Sequence, residues 1–518
     1  MRTQTTLPVT FLREVESATI LLTVTLDPRT PVIVGVGQVV ERPQPQQDVR
    51  SRPSPLALMV SSLQRALDDA NAKVPWSLDE LIAISSVGWQ TADAARMVAN
   101  ELKISVATTR KTPTGGDVPQ RLIHDCATRI LNGSLTSVAL VGSEAIYSAS
   151  QARKQNVTLS WPTQDADVGE APLTGDETVP FSDVEYNVGL AWPTEVYPLF
   201  ENARRARLGW TLEEQRHRLG SLWANFASVA ATNPHAWITT APSPEVIATP
   251  STSNRMIGYP YTKLLVANLP VDMGAAIVMM SASEAQNRGI PKNQWIFPHV
   301  GAQANDHWFI SDRMALDHSP AMEEIWASLT RTGLEQESIS SLDLYSCFPT
   351  VVQTAADVMG IDPFDVARVP TVTGGLTFCG GPGNNYVTHA ISALVDRLRG
   401  DVDALGMVTG VGWYSTKHAW GLYGSGPPAQ SFHCEDVQAH VDARPRCVTR
   451  QDDGEIKIES YVVSHRHDGA PKKLIVAGRF RDGARTWCRS EGHETMVQFE
   501  SEEMINLTAT CREGVLFL

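Results

Sequence analysis

The sequence predicts an α/β protein built from a duplicated unit and followed by a small, mostly antiparallel β domain. Three observations carry this reading. From residue 29 onward, short apolar runs alternate with amphipathic helical patterns, the signature of a sheet covered by helices. Two glycine pairs, Gly115-Gly116 and Gly380-Gly381, each precede a helical pattern that stops at a glycine (Gly133 and Gly400) and then leads into a strand-like run. After Gly424-Ser-Gly-Pro-Pro428 the texture changes to β-rich segments punctuated by Asp453-Gly454, Asp468-Gly469 and Asp482-Gly483, which are turn signals.

The elements follow in order. Val32–Val36 reads as a buried strand, Leu56–Ala70 as an amphipathic helix and Leu81–Val87 as a second strand. Val118–Leu131 has helical spacing and feeds the strand Ser137–Val141 after the Asn132-Gly133 stop. Residues 157–255 are richer in Pro, Trp and charge and read as an insertion over the sheet. Within it Thr211 and Glu214 form a capping box that opens a helix. Asp272–Met280 returns to a buried strand. The second half repeats the pattern, with strands over Phe297–Ala302, Leu342–Leu344 and Ala404–Val408 and a helix from Tyr386 to Leu398. The expected divisions are 1–28 as an extension, 29–295 and 296–428 as the two halves, and 429–518 as the β domain, with strands over Ile456–Val463 and Lys473–Ala477. The apolar run Ala18–Leu26 fails as a secretory core, because Arg13, Glu14 and Glu16 stand directly upstream and no small-residue cleavage site follows.

Composition excludes several function classes. With 518 residues, 42% apolar and 19% charged, the chain is an ordinary globular protein too long for one core. A net charge of −14 argues against a phosphate-backbone binder, and no basic-aromatic alternation marks a single-strand platform in the β domain. No apolar run reaches the length of a membrane span. Seven cysteines without C-x-x-C spacing argue against a disulfide framework or zinc ribbon and fit a reducing cytoplasm. Cys434, Cys447, His465 and His467 match no metal-ligand spacing.

The stretch Gly374–Asn385 is too rich in glycine for a strand or helix interior. It reads as a loop that approaches a ligand closely, with Asn384 or Asn385 capping the helix that follows.

These residues carry a family resemblance. Arg29–Gly37, Gly258–Lys263, Val271–Ala276, Asp343–Phe348, Gly374–Asn385 and Val408–His418 together resemble the thiolase superfamily, and most closely thiolase-like protein type 1. The resemblance spans about residues 29–428, and an added C-terminal β domain is itself typical of that group. It implies the five-layer αβαβα thiolase fold, coenzyme A or an acyl-CoA thioester as ligand, a place in lipid metabolism, and a monomer or homodimer. Such proteins are often described as acetyl-CoA acetyltransferases.

The family's chemistry needs four loops, and this chain departs from three of them. The nucleophilic cysteine at a helix N-terminus falls in Thr114–Pro119, nearest Gly116, where there is no thiol. The nearest cysteine, Cys126, lies deeper along the helix. The Gly-His-Pro loop reads Gly380-Gly381-Pro382, and the Cys-x-Gly loop reads Gly410-Val411-Gly412. The remaining loop, Tyr345-Ser346-Cys347-Phe348, keeps its cysteine in register with the sterol-carrier form. Cys347 and Cys379 are therefore the catalytic candidates. Gly116 and Gly412 are candidates for a thioester-binding backbone, with Gly381 and Lys263 beside them. His389 and His418 are weaker acid/base candidates, and Arg204, Arg205 and Arg207 are candidates for the coenzyme's phosphates. Loss of two thiols and a histidine leaves ordinary condensation or thiolysis weak or absent. Two readings follow. One is an acyltransferase or lyase working through Cys347 or Cys379; the other is a non-catalytic acyl-CoA-binding or regulatory protein.

Overall fold

The computed structural model describes residues 26–518 apart from residues 166 and 402. The expectation of an N-terminal extension therefore lies almost wholly outside the described residues. Two five-stranded sheets form the body. The first runs in the order Pro31–Val40, Asp272–Ser281, Ser137–Ala145, Ser77–Ile84, Ser105–Lys111. The second runs His433–Asp436, Phe297–Asn305, Lys417–Gly424, Leu405–Gly412, Ile339–Asp343.

The duplication is visible in the pairing. In each sheet an opening strand pairs antiparallel with a later one, which pairs antiparallel with a third, which pairs parallel with a fourth. The helices entering the third strand of each unit, Val118–Leu131 and Tyr386–Arg399, lie between the two sheets and touch strands of both. Helices Pro55–Ala70 and Pro320–Arg331 pack against the first and second sheets, giving five layers. Because the central strands are covered on both faces, Asp272–Ser281, Ser137–Ala145 and Lys417–Gly424 are buried along their whole length. This explains why they read as apolar runs and do not alternate.

The inserted region is helical, with Pro193–Leu208 and Leu212–Thr232 as its main helices. The Thr211/Glu214 capping box is present. The β domain closes on itself: Gly454–His465, Pro471–Arg479, Arg485–Ser490, Val515–Phe517 and Thr508–Arg512 return to Gly454–His465 as a barrel. All pairings among these five strands are antiparallel save one. The strand His433–Asp436 still belongs to the second body sheet, so the barrel begins after it. Met256–Gly258, just past the insertion, pairs with the barrel.

The barrel is fastened to the body by buried polar contacts. The Arg485 guanidinium donates to the carbonyls of Ile310, Ser311 and Arg313 and to Glu459. Ser460 and Tyr461 bond to helix Pro193–Leu208 through Leu199 and Asn202. A buried guanidinium so fully satisfied fixes the angle at which two units meet.

Candidate functional site

The glycine-rich stretch departs from expectation in two ways. It contains two short helical turns, Gly375–Phe378 and the 3-10 turn Gly383–Asn385, the first entered through left-handed Gly374 and Gly375, a conformation open to glycine at little cost. Asn385 stands at the N-cap of the following helix, yet neither asparagine caps through its side chain. The side chain of Asn385 makes no cap bond, because both asparagines are drawn across to the other half. Asn384 accepts from the Gly115 amide (2.9 Å) and donates to the Ser85 carbonyl (2.8 Å). Asn385 donates to the Gly142 carbonyl at 2.7 Å. The two glycine loops are thus laced together through buried amides.

Beneath the second loop sits Asp343, fully buried. Its carboxylate accepts from Thr371 (2.9 Å), from the Thr373 amide (3.1 Å) and hydroxyl (3.0 Å), and from Tyr386 (2.9 Å). Burial still raises its pKa above the usual carboxylate range, against those hydrogen bonds.

The first loop is filled. A Cβ built on Gly116 would overlap the Tyr345 hydroxyl and lie 2.6 Å from the Val411 carbonyl oxygen. A Cβ on Gly410 would lie 2.9 Å from Asp117 Cα, and one on Gly412 would overlap Asp117 Oδ1. Neither thiol position of the family therefore has room for a side chain. Tyr345 is held in place by its amide, which donates to Thr409 Oγ1 at 2.8 Å, and by edge packing on Tyr386 with ring centroids 5.5 Å apart. Asp117, also fully buried, accepts from Arg121 Nε at 2.6 Å. Lys417 Nζ lies 3.9 Å from its other oxygen and donates to the Thr114 carbonyl at 2.7 Å. Gly381 differs: a Cβ there would meet nothing nearer than 3.5 Å, so the position admits a Cβ without overlap.

Both cysteine candidates are held as neutral thiols. Burial pushes Cys347 up to about 12, opposed by the Tyr197 hydroxyl. Tyr197 in turn donates to the Trp413 carbonyl (2.7 Å) and stacks on Phe348 at 4.3 Å. Burial, with the nearby Asp343 charge, raises Cys379 further. Cys126 is raised by burial inside its helix. The thiolate is the nucleophile, so such groups are poor ones at neutral pH.

The remaining candidates are placed as follows. Lys263 is exposed at the start of the turn Lys263–Leu265. The residues just after it border the second loop, where the Ala267 amide donates to the Cys347 carbonyl (3.0 Å) and the Gly381 amide to the Asn268 carbonyl (3.0 Å). His389 meets Gln38 (2.9 Å), and burial depresses it to about 3. His418 lies 3.4 Å from Asp306 and 3.0 Å from the Ser415 carbonyl. The phosphate reading of the three arginines does not hold, because acidic partners already occupy them. Arg204 pairs with Asp357 (2.9 Å), Arg205 with Glu503 of the β domain (2.8 Å), and Arg207 with Asp317 and Asp357. Cys447 and His465 are engaged by Arg479 and Glu500.

A cleft of about 670 Å³ opens beside the first loop, lined by Asp117, Arg121, His124, Lys417, Arg110 and Trp308 among others. Asp117, Tyr345 and Lys417 escaped sequence reasoning as site residues. The signal was present, in a large Tyr345 opposite a residue-sized gap at Gly116, but its meaning depends on a contact between residues far apart in the chain.

Comparison with known proteins bears on the fold and the lineage. The family described as the thiolase-like protein type 1 additional C-terminal domain matches residues 436–513. The crystal structure of a monomeric SCP2-thiolase-like protein type 1 from Mycobacterium smegmatis superposes with a TM-score of 0.80 at 30% identity, covering 95% of this chain and 99% of that one. A thiolase from Ascaris suum in complex with coenzyme A gives a TM-score of 0.53 at 16% identity, covering 76% and 99%. Acetyl-CoA acetyltransferase from Syntrophomonas wolfei gives 0.51 at 15%, covering 76% and 99%. These last two show a shared fold. No curated protein sequence matches. Among the described residues, no helix is long and apolar enough to cross a membrane. With the duplicated sheets, the added barrel and a relative aligned over nearly its whole length, the chain belongs to the thiolase superfamily, in the group of thiolase-like proteins type 1.

Proposed function

We propose that this chain is a binding protein for coenzyme A or an acyl-CoA thioester that carries out neither condensation nor thiolysis. The observation that carries this reading is the Tyr345 hydroxyl filling the position at Gly116 where a nucleophile would stand. At Gly410, the second thiol position, the Asp117 backbone crowds the place of a Cβ, with its Cα 2.9 Å away. Removing a nucleophile alone costs several powers of ten in rate. Here the volume for the nucleophile is gone as well. The ligand class rests on kinship with the superfamily and on the backbone loops around Gly116, Gly381 and Gly412. The protein would act as a monomer in the cytoplasm, as a regulatory or carrier component of lipid metabolism.

The test is incubation with acetyl-CoA, and with acetoacetyl-CoA plus free CoA, following product and intact mass beside calorimetric binding. Saturable CoA binding without turnover or acyl adduct is expected. Turnover that Cys347→Ala or Cys379→Ala abolishes would instead establish an acyltransferase or lyase working through that thiol.

A further inference from the structure

The cleft of about 670 Å³ beside the first loop is of a size that suits a small ligand. Its floor is one face of helix Val118–Leu131 with the residue before it. Asp117, Arg121, Asp125 and Thr128 border the cleft at steps of three and four residues. At 1.5 Å per residue that face is about 16 Å long, enough for an extended acyl chain.

The inner end of the cleft carries buried positive charge. Lys417 stands opposite Gly412 across its hairpin, and its side chain passes both glycine positions. Lys417 Cε lies 2.9 Å from where a Cβ of Gly115 would stand and 3.0 Å from that of Gly412. The ammonium has three N–H donors, and one of them bonds to the Thr114 carbonyl at 2.7 Å. Asp117 Oδ1 stands 3.9 Å away, beyond hydrogen-bonding reach, and has no partner. The other oxygen of Asp117 already accepts from Arg121 Nε at 2.6 Å. Arg121 Nη2 bonds to Asn305 and to the carbonyls of Ala304 and His418, so Nη1 has no protein partner among the described residues. Two cations therefore face one carboxylate. The surplus positive charge sits where water is largely excluded, and a counter-charge is worth most there.

The mouth is different. Asp125, Asp176 and Asp436 border it and are exposed, with Asp125 held by Arg129 at 3.2 Å. This arrangement repels a ligand that lays several negative charges across the mouth, such as a polyphosphate. It suits one compact anion carried inward on a neutral chain.

We propose that this cleft selects the acyl group of the ligand, and that it takes a thioester whose acyl chain ends in a carboxylate. The inference rests on the coenzyme A reading above and extends it to the acyl class. With the thioester at the Gly116 and Gly412 backbone, Lys417 marks the point where the acyl chain leaves the loops and enters the cleft. A terminal carboxylate then accepts from the free N–H groups of Lys417 and Arg121. A hydrocarbon chain of the same length leaves the surplus charge unpaired.

The experiment is calorimetric titration of the full chain with glutaryl-CoA, pentanoyl-CoA and free CoA. The two thioesters have acyl chains of equal length and differ in the terminal carboxylate. Glutaryl-CoA should bind about tenfold more tightly than pentanoyl-CoA, the effect of one added charge-assisted contact. Lys417→Met should bring the ratio of the two affinities toward one. Hydrogen exchange on the wild-type chain locates the site without relying on that variant: glutaryl-CoA should slow exchange in the peptides holding Arg121 and Lys417 more than pentanoyl-CoA does. Equal affinities, or a preference that survives Lys417→Met, would overturn the inference while leaving the coenzyme A reading intact. Failure of all three ligands to bind would overturn both.

Discussion

The two glycine loops occupy equivalent places in the duplicated units, yet their fates differ. At Gly116 the place of a side chain is filled by the Tyr345 hydroxyl, and at Gly410 it is crowded by the Asp117 backbone, whose Cα lies 2.9 Å from where a Cβ would stand. At Gly381 a Cβ would fit without overlap, in ordinary contact with Ala267, Asn268 and Leu269 at 3.5–3.6 Å. The difference teaches that the first loop is more than a thiolase site with a residue deleted. Its neighbours have been rebuilt around the absence, so restoring one side chain cannot restore the site. Close packing makes such a change hard to reverse, since an interior without voids resists even one added methylene.

The sharpest way to break this comparison is to put a thiol back. Gly116→Cys should destabilise the protein by about 3 kcal/mol through overpacking, read from urea midpoints. Gly116→Cys/Tyr345→Ala should recover part of that loss. The recovery is incomplete because the Val411 carbonyl remains 2.6 Å from the new Cβ. Simple additivity of the two changes would show that Tyr345 does not fill the slot.

The next effect compares the central helices. Burial depresses His124 to about 4 and His389 to about 3, against an ordinary value near 6.5. Both are neutral when folded and bind protons more readily when unfolded. Stability should therefore fall as pH drops below about 6.5, levelling off near 4 for His124 and near 3 for His389. Urea midpoints between pH 7 and 4 check this. His124→Gln and His389→Gln should each flatten the profile, and an unchanged slope in both would contradict it.

A smaller effect probes the lacing. Asn384→Ala removes the acceptor for the buried Gly115 amide and the donor to Ser85, and should cost about 2 kcal/mol. Hydrogen exchange at Gly115 should rise with it; a slow amide in the variant would mean that the loops do not depend on each other. The smallest effect is expected at the open loop. Gly381→Ala should fold with less than about 1 kcal/mol change, and a loss as large as that of Gly116→Cys would erase the contrast between the halves.

Much of the fold was legible in the sequence, because the pattern that specifies it is local. Fully covered strands appear as unbroken apolar runs such as Asp272–Ser281, and the central helices announce themselves through their glycine stops. The barrel showed itself through Asp-Gly turns, though not its closure, which needs Thr508–Arg512 to find Gly454–His465 across the domain. The site was legible only as absences. That Gly116 lacks a thiol is written at one position. That Tyr345 takes the space depends on residues more than two hundred positions apart. The arginines misled for the same reason: Arg205 looks free in sequence, and its partner Glu503 belongs to another domain.

The most direct measurement is a crystal structure of the protein soaked with acetoacetyl-CoA. The Tyr345 hydroxyl should stand against Gly116 with every cysteine unmodified. Tyr345 swung away from Gly116, or an acyl group bonded to Cys347 or Cys379, would contradict the account.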